Sequence, residues 1–308
     1  MGNEIQPGDQ PGLQQAFEKE TGLAIQQARG ASLTTFCIGG LLNKLVEINS
    51  LKDACAARRF LHQHGQKSLV LGAGSNLLIA DEGVETWVLK PGRGLRYREV
   101  SDNHFKVGAA MPLMVLSQKL SEEGFGGLEF AGGIPGSMGG ALRMNAGAHG
   151  GQISDLVTEV LCVDKTGAEF RISASELTFS YRHCSLPADM LVLEVSLKLR
   201  ACSAGESMQK RADCLAERKA RQPLTLASAG SVFRNPAPDK PAGMLIERAG
   251  LKGTRRGGAC VSQMHANWIV NEEKQASARD VIELIDLCRE KVRSDAGIEL
   301  QTEIVRWP

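Results

Sequence analysis

The chain is 308 residues long, with 36 basic residues against 35 acidic ones and a formal net charge of +1. That balance gives no general attraction to nucleic acid or an anionic membrane, so any anion site must be local. The length allows two or three domains with sizeable cores, and no apolar run approaches the roughly 18–20 residues of a membrane helix.

Residues 1–30 are polar and Gln-rich, with no basic stretch followed by an apolar one. They are expected to be a weakly ordered lead-in rather than a secretory signal, which points to a cytoplasmic protein. Eight cysteines, at 37, 55, 162, 184, 202, 214, 260 and 288, never form a Cys-x-x-Cys pair. Buried free thiols are expected, with no metal site and no disulfides. The 34 glycines cluster at 72–74, 124–127, 132–140, 147–151 and 250–258. Clustered glycine in a chain of ordinary apolar content suggests backbone brought close to a large ligand.

Along the chain, Asn43 to Ile48 reads as extended, and Ser50 to Asp53 opens a helix with a capping-box pattern that stops at Gly65. Ser68 to Leu71 reads as a short buried strand running into Gly72, Ala73, Gly74, Ser75 and Asn76. From Trp87 to Val195 the apolar segments are mostly short strands, with a hairpin signal at Asp164 to Gly167 and a helix at roughly 112–123. A helix over about 207–221 closes before Pro223 and marks a boundary. Ser277 to Asp280 caps a final helix that stops near Gly297, and a strand from Ile298 to Val305 follows. This gives a lead-in over 1–30 and three α+β parts, at 31–90, 91–220 and 221–308.

Two glycine segments invite a functional reading. Gly72 to Asn76 can turn successive N–H groups inward as a nest for a diphosphate; a plain tight turn is the alternative. No dinucleotide fingerprint or P-loop continues from it. Gly132 to Gly140, followed by Asn145 to Gly151, is too glycine-rich for an ordinary helix or strand pair. It reads as a second wall of backbone against a flat ring and phosphates, or as a packing corner. Alone, Arg182 reads as a surface or salt-bridge residue, and Ser231 with Arg234 as a turn. By alternation along the final strand, Glu303 falls with Glu299 and Gln301 on a solvent face.

Taken in order, the segments resemble the UDP-N-acetylenolpyruvoylglucosamine reductase family over residues 33–307. The resemblance rests on Thr34 to Phe36 with Ile38 to Gly40, Gly72 to Asn76, Gly127 to Phe130 with Gly133 to Gly136, Asn145 to Gly147, and Tyr181-Arg182. It continues through Ala229 to Pro236, Ala242-Gly243 with Leu245 to Glu247, Leu251 to Gly253, Gly257 to Ala259, His265 to Asn271 and Glu303.

The resemblance implies an α+β FAD-binding fold of the vanillyl-alcohol oxidase and p-cresol methylhydroxylase type. Two subdomains would hold FAD, and a C-terminal α+β domain the substrate. It implies non-covalent FAD, NADPH as hydride donor, and reduction of UDP-N-acetylglucosamine enolpyruvate to UDP-N-acetylmuramate for peptidoglycan precursors. By the same resemblance, Arg182 and Glu303 lie at the substrate's carboxylate and Ser231 is the proton donor. FAD contacts fall on Gly72, Ala73, Gly74, Ser75, Asn76 and Leu77, on Gly133, Ile134, Pro135, Gly136, Ser137 and Gly140, and on Asn145, Ala146 and Gly147. Substrate contacts fall on Tyr181, Arg218, Arg221, Arg234, Asn235 and His265. A small-molecule substrate is implied, with no nucleic acid, membrane or obligate protein partner.

Some positions depart from the family pattern. Cys37 stands where many relatives have arginine, Leu41-Leu42 replaces Pro-Ala, and His149 and Gln152 replace Tyr and Glu. Tyr97 and Tyr181 are the only tyrosines, so the chain resembles the branch without a tyrosine-bearing substrate loop. Two other readings compete: another FAD-dependent oxidoreductase of this fold, or a non-catalytic flavin-binding paralogue.

Overall fold

The computed structural model describes residues 11–308. Pro11–Thr21 is a helix and Ile25–Arg29 a strand. Phe17 is fully buried, its ring 4.6 Å from that of Trp87 and 5.2 Å, edge-on, from that of Phe60. This corrects the expectation of a weakly ordered lead-in for residues 11–30; residues 1–10 lie outside the described residues. One phenylalanine supplies the reason: truncating so buried an aromatic typically costs about 3–5 kcal/mol, enough to fix a short polar helix.

The first sheet runs Ile25–Arg29, Leu41–Ile48, Trp87–Pro91, Ser68–Val70. Its first pair is antiparallel and the other two are parallel. The crossover helix Leu51–Gln63 begins where Ser50 accepts the Asp53 N–H, and buries Ala54, Ala57, Phe60 and Leu61.

A second, antiparallel sheet has the order Glu169–Ser173, Val157–Val163, Leu191–Lys198, His104–Gly108, Arg98–Ser101. The hairpin expected at Asp164 is present, with the Asp164 carboxylate accepting the N–H groups of Thr166 and Ala168. Helices Leu113–Glu122 and Ala204–Arg221 pack with the turn Glu129–Gly133 beside this sheet. The glycine-rich stretch was expected to form no ordinary helix, yet Met138–Arg143 is a short one, opened by Ser137. Met138, Ala141 and Leu142 are buried on one side of it, which offsets the poor helix propensity of Gly139 and Gly140.

The third core is built on helix Ala278–Ala296, which carries a Ser277–Asp280 capping box and ends on Gly297 in the left-handed region. It packs against helix Ala242–Arg248 and a small sheet of Arg255–Arg256, Ala259–Val261 and Ile269–Val270. Phe36, Ile38 and Leu78 from the N-terminal third are buried in the same core. The end of the chain returns too, because Val305–Trp307 pairs in parallel with Leu77–Ile79, directly after the first glycine loop.

Candidate active site

The two glycine segments come together. Ser75 donates its hydroxyl to the Pro135 carbonyl at 3.1 Å, bridging the first loop to the second. The Thr35 N–H donates to the Gly74 carbonyl at 3.2 Å and props the first loop from behind. Gly74 has φ +66, and a Cβ there would fall on the Leu33 carbonyl, so glycine is required on both counts. Gly136 also has a positive φ, +142, but the space beside Gly72 and Gly136 is different. A Cβ on either would meet only a serine hydroxyl, Ser137 at 3.2 Å or Ser75 at 3.3 Å. Those Cβ atoms would stand in the gap between the two loops.

That gap is a cradle of backbone and hydroxyl groups that a side chain would fill, and neither 72–77 nor 133–147 contains an acidic residue. A diphosphate-bearing cofactor such as FAD fits this donor set. Gly72–Asn76 also lacks His and Cys, the groups that attach flavin covalently in several relatives of the fold. Of the other predicted cofactor residues, Leu77 and Ala146 are buried in hydrophobic cores. Gly133 is small for another reason: a Cβ there would lie 2.8 Å from Cδ of Arg218.

Beside the cradle sits an ion pair. Arg182 donates through Nε to Glu303 Oε1 at 2.8 Å, and the side chains are 24% and 11% exposed. Arg182 Nη1 also donates to the Gly147 carbonyl at 3.3 Å. Arg182 has φ +55, a left-handed conformation that costs a non-glycine residue about 1–2 kcal/mol. Burial pushes the Glu303 carboxyl above its ordinary range, against the opposing pull of Arg182 and Arg234. Removing either partner leaves the other partly desolvated without its counter-charge.

Alternation had assigned Glu303 to a solvent face, and the structure overturns that. The only regular strand at this end is Val305–Trp307, so the alternating pattern does not extend over 298–304. Instead, the Glu303 N–H donates to the Val232 carbonyl at 2.8 Å and the Arg234 N–H to the Gln301 carbonyl at 2.9 Å. This places Glu303 against the Ser231–Arg234 segment, with Ser231 adjoining Val232 and bridging Trp268 on the other side. Asn76 donates its side-chain amide to the Glu303 carbonyl at 3.1 Å, which attaches this segment to the first glycine loop.

The predicted substrate residues divide. Arg218 lies across Gly133, and both burial and the neighbouring Arg182 hold its guanidinium below the usual range. Tyr181 is half exposed, with the Arg182 guanidinium 4.9 Å from its ring centroid. Asn235 accepts the Ala242 N–H at 3.0 Å, at the start of helix Ala242–Arg248. His265 accepts the Asn267 N–H through Nδ1, and burial with the nearby Lys252 cation lowers its pKa, which favours the neutral ring. The structure does not bring Arg221 to this cluster: its side chain is 74% exposed and pairs with Glu217 one helical turn earlier.

Arg211 was missed. Its Cγ would lie 2.8 Å from a Cβ on Gly132, just as Arg218 lies against Gly133, and the Nε atoms of both arginines are buried without a hydrogen-bond partner. The seven-residue spacing of these arginines, two turns along one helix face, matched to two adjacent glycines, is the signal that could have found it. Among the described residues no group of three His, Cys, Asp or Glu side chains is placed to hold a metal ion, all eight cysteines are free, and no helix is long and apolar enough to cross a membrane.

Residues 42–173 match the family model described as FAD binding domain, and residues 222–307 match UDP-N-acetylenolpyruvoylglucosamine reductase, C-terminal domain. UDP-N-acetylenolpyruvoylglucosamine reductase 1 of Bacillus cereus is 40% identical over 297 residues, covering 95% of this chain and 97% of its own. The Bacillus subtilis reductase of that name is 38% identical over 294 residues, covering 95% and 96%. The crystal structure of UDP-N-acetylenolpyruvylglucosamine reductase from Thermus caldophilus superposes with a TM-score of 0.80 at 34% identity, covering 93% of this chain and all of that one. The α+β class read from the sequence, an FAD-binding region followed by a C-terminal α+β unit, is the one found. A chain that shares this identity along nearly its whole length and this fold belongs to the UDP-N-acetylenolpyruvoylglucosamine reductase family.

Proposed function

We propose that this protein reduces UDP-N-acetylglucosamine enolpyruvate to UDP-N-acetylmuramate with NADPH and non-covalent FAD, in the cytoplasm, as a step in peptidoglycan precursor synthesis. The observation that carries the reading is the partly buried Arg182–Glu303 pair, tied through Asn76 to a glycine cradle suited to a flavin diphosphate.

FAD, held between the loops 72–77 and 133–147, would supply the hydride chemistry between NADPH and the alkene. The protein's own groups manage the charge and the proton. Arg182 binds the substrate's carboxylate, where negative charge grows as the alkene is reduced. A carboxylate arriving at Arg182 adds a second anion beside Glu303, whose pKa burial already raises, and so favours its protonated form. Protonated Glu303 then donates a hydrogen bond to that carboxylate instead of repelling it. Ser231, one residue from the Val232–Glu303 pairing, gives its hydroxyl proton to the alkene carbon that bears the carboxylate. Arg234, close enough to act on the Glu303 carboxyl, helps hold the alkoxide that remains. Arg218 serves the diphosphate of the substrate, with Asn235 and His265 as further donors or acceptors towards its sugar and Tyr181 at the edge.

The test is steady-state turnover. Beyond the single equivalent that reduces the flavin, continued NADPH oxidation is expected when the enolpyruvyl substrate is added, with one NADPH consumed per UDP-N-acetylmuramate formed. A purified, flavin-loaded protein that leaves this substrate unreacted contradicts the reading.

A further inference from the structure

Arg182 occupies an unfavourable place to hold a guanidinium still. Tyr181 and Arg182 form the two-residue turn between strands Phe179–Ser180 and His183–Cys184, which pair Ser180 with His183. Arg182 takes φ +55 in that turn, where glycine or asparagine is the favoured residue. The hairpin has only these two strands, so its own pairing fixes the turn weakly.

The turn is held from outside, by the segment 145–152. Asn145, only 2% exposed, donates from Nδ2 to the Ser180 carbonyl at 3.2 Å and to Gln152 Oε1 at 3.2 Å. Its Oδ1 accepts the Ser154 N–H at 3.0 Å. Both amide protons are thereby engaged within the protein, so the side chain has no donor left for a cofactor. Two residues on, the Gly147 carbonyl accepts from Arg182 Nη1. Gly147–Ala148 pairs with Gly151–Gln152, and His149 at the tip of this small hairpin meets Glu217 of helix Ala204–Arg221 at 3.1 Å. One segment thus grips Arg182 twice, at the carbonyl that opens its turn and at its guanidinium.

We propose that Asn145 is a positioning residue for Arg182: its carboxamide fixes the strained turn against the Gly147 hairpin, so that the guanidinium meets the substrate's carboxylate in one orientation. This rests on the reading of Arg182 as the group at the carboxylate.

The experiment mixes flavin-loaded protein first with NADPH and then with UDP-N-acetylglucosamine enolpyruvate, timing the loss and the return of the flavin absorbance band. Asn145→Ala is expected to slow the return roughly 10- to 100-fold, the scale of a misplaced reacting group. Bleaching by NADPH and the flavin-to-protein ratio should stay near wild type. In an Arg182→Ala background the same substitution should add almost nothing, because both changes act through one group. Equal slowing of bleaching and return, or an undiminished effect in the Arg182→Ala background, overturns the proposal. If Asn145→Ala yields no folded protein, Gln152→Ala removes one of its two acceptors at an exposed position and should give a smaller loss confined to the return; no loss overturns the proposal as well. A wild-type band that this substrate never restores overturns the functional reading itself. A wild type that responds, beside an Asn145→Ala that behaves identically, overturns the role of Asn145 alone.

Discussion

The side-chain amide of Asn76 donates to the main-chain carbonyl of Glu303 at 3.1 Å, joining the first glycine loop to a segment 227 residues further along the chain. The Asn76 carbonyl accepts the Val305 N–H at 2.9 Å, so the same residue grips the chain end twice. Asn76→Ala removes the first of these bonds, worth about 1 kcal/mol, and leaves the main-chain one in place. We expect a small fall in melting temperature, together with slower turnover and weaker flavin retention, since the carboxylate and the cradle share this tether. Thermal unfolding and flavin content measured on one preparation check the pairing of effects.

The cradle makes a sharper contrast between two glycines two residues apart. Gly72→Val puts its Cβ in the gap, 3.2 Å from the Ser137 hydroxyl, with no backbone atom close to that Cβ and no positive φ to oppose it. The variant should fold with the stability of the flavin-free wild type and be purified colourless. Gly74→Ala, by contrast, drives a Cβ onto the Leu33 carbonyl at φ +66 and should destabilise the fold, by roughly 1–3 kcal/mol or more. Denaturant unfolding of both flavin-free variants separates a filled site from a broken loop.

Glu303 should leave a signature in stability against pH. Its folded-state pKa is raised above the ordinary 4.5 by burial, so the native state favours the protonated form more than the unfolded chain does. That contribution is complete below the unfolded value and is lost as pH rises through the folded value. The stability of wild type relative to Glu303→Gln is thus expected to improve as pH is lowered from neutrality towards 4.5. Melting temperatures of both proteins across that window check the sign. Glu303→Gln should keep its flavin and turn over slowly.

Much of this was legible because local chemistry agreed with tertiary position. The helix caps at Ser50 and Ser277 and the hairpin at Asp164 rest on side chains bonding to backbone within three or four residues, which sequence displays directly. What failed depended on partners far along the chain. Pro11–Thr21 reads as polar until Phe17 meets Trp87, and Glu303 reads as exposed until residues 301–303 pair with 232–234. Asn145 was matched to a cofactor contact by resemblance, and the bonds of its side-chain amide to Ser180 and Gln152 appear only in the folded chain. The residues matched by resemblance could be named in advance, but not the bonds that hold them.

Ser231 gives the most direct test of the central claim, that the protein's own side chains complete the reduction beside a bound flavin. In Ser231→Ala, stopped-flow absorbance should show flavin bleached by NADPH at close to the wild-type rate. The return of the band on adding UDP-N-acetylglucosamine enolpyruvate should fall by about 100-fold or more, the scale of lost proton donation. A return as fast as wild type, or equal losses in both steps, would contradict the account.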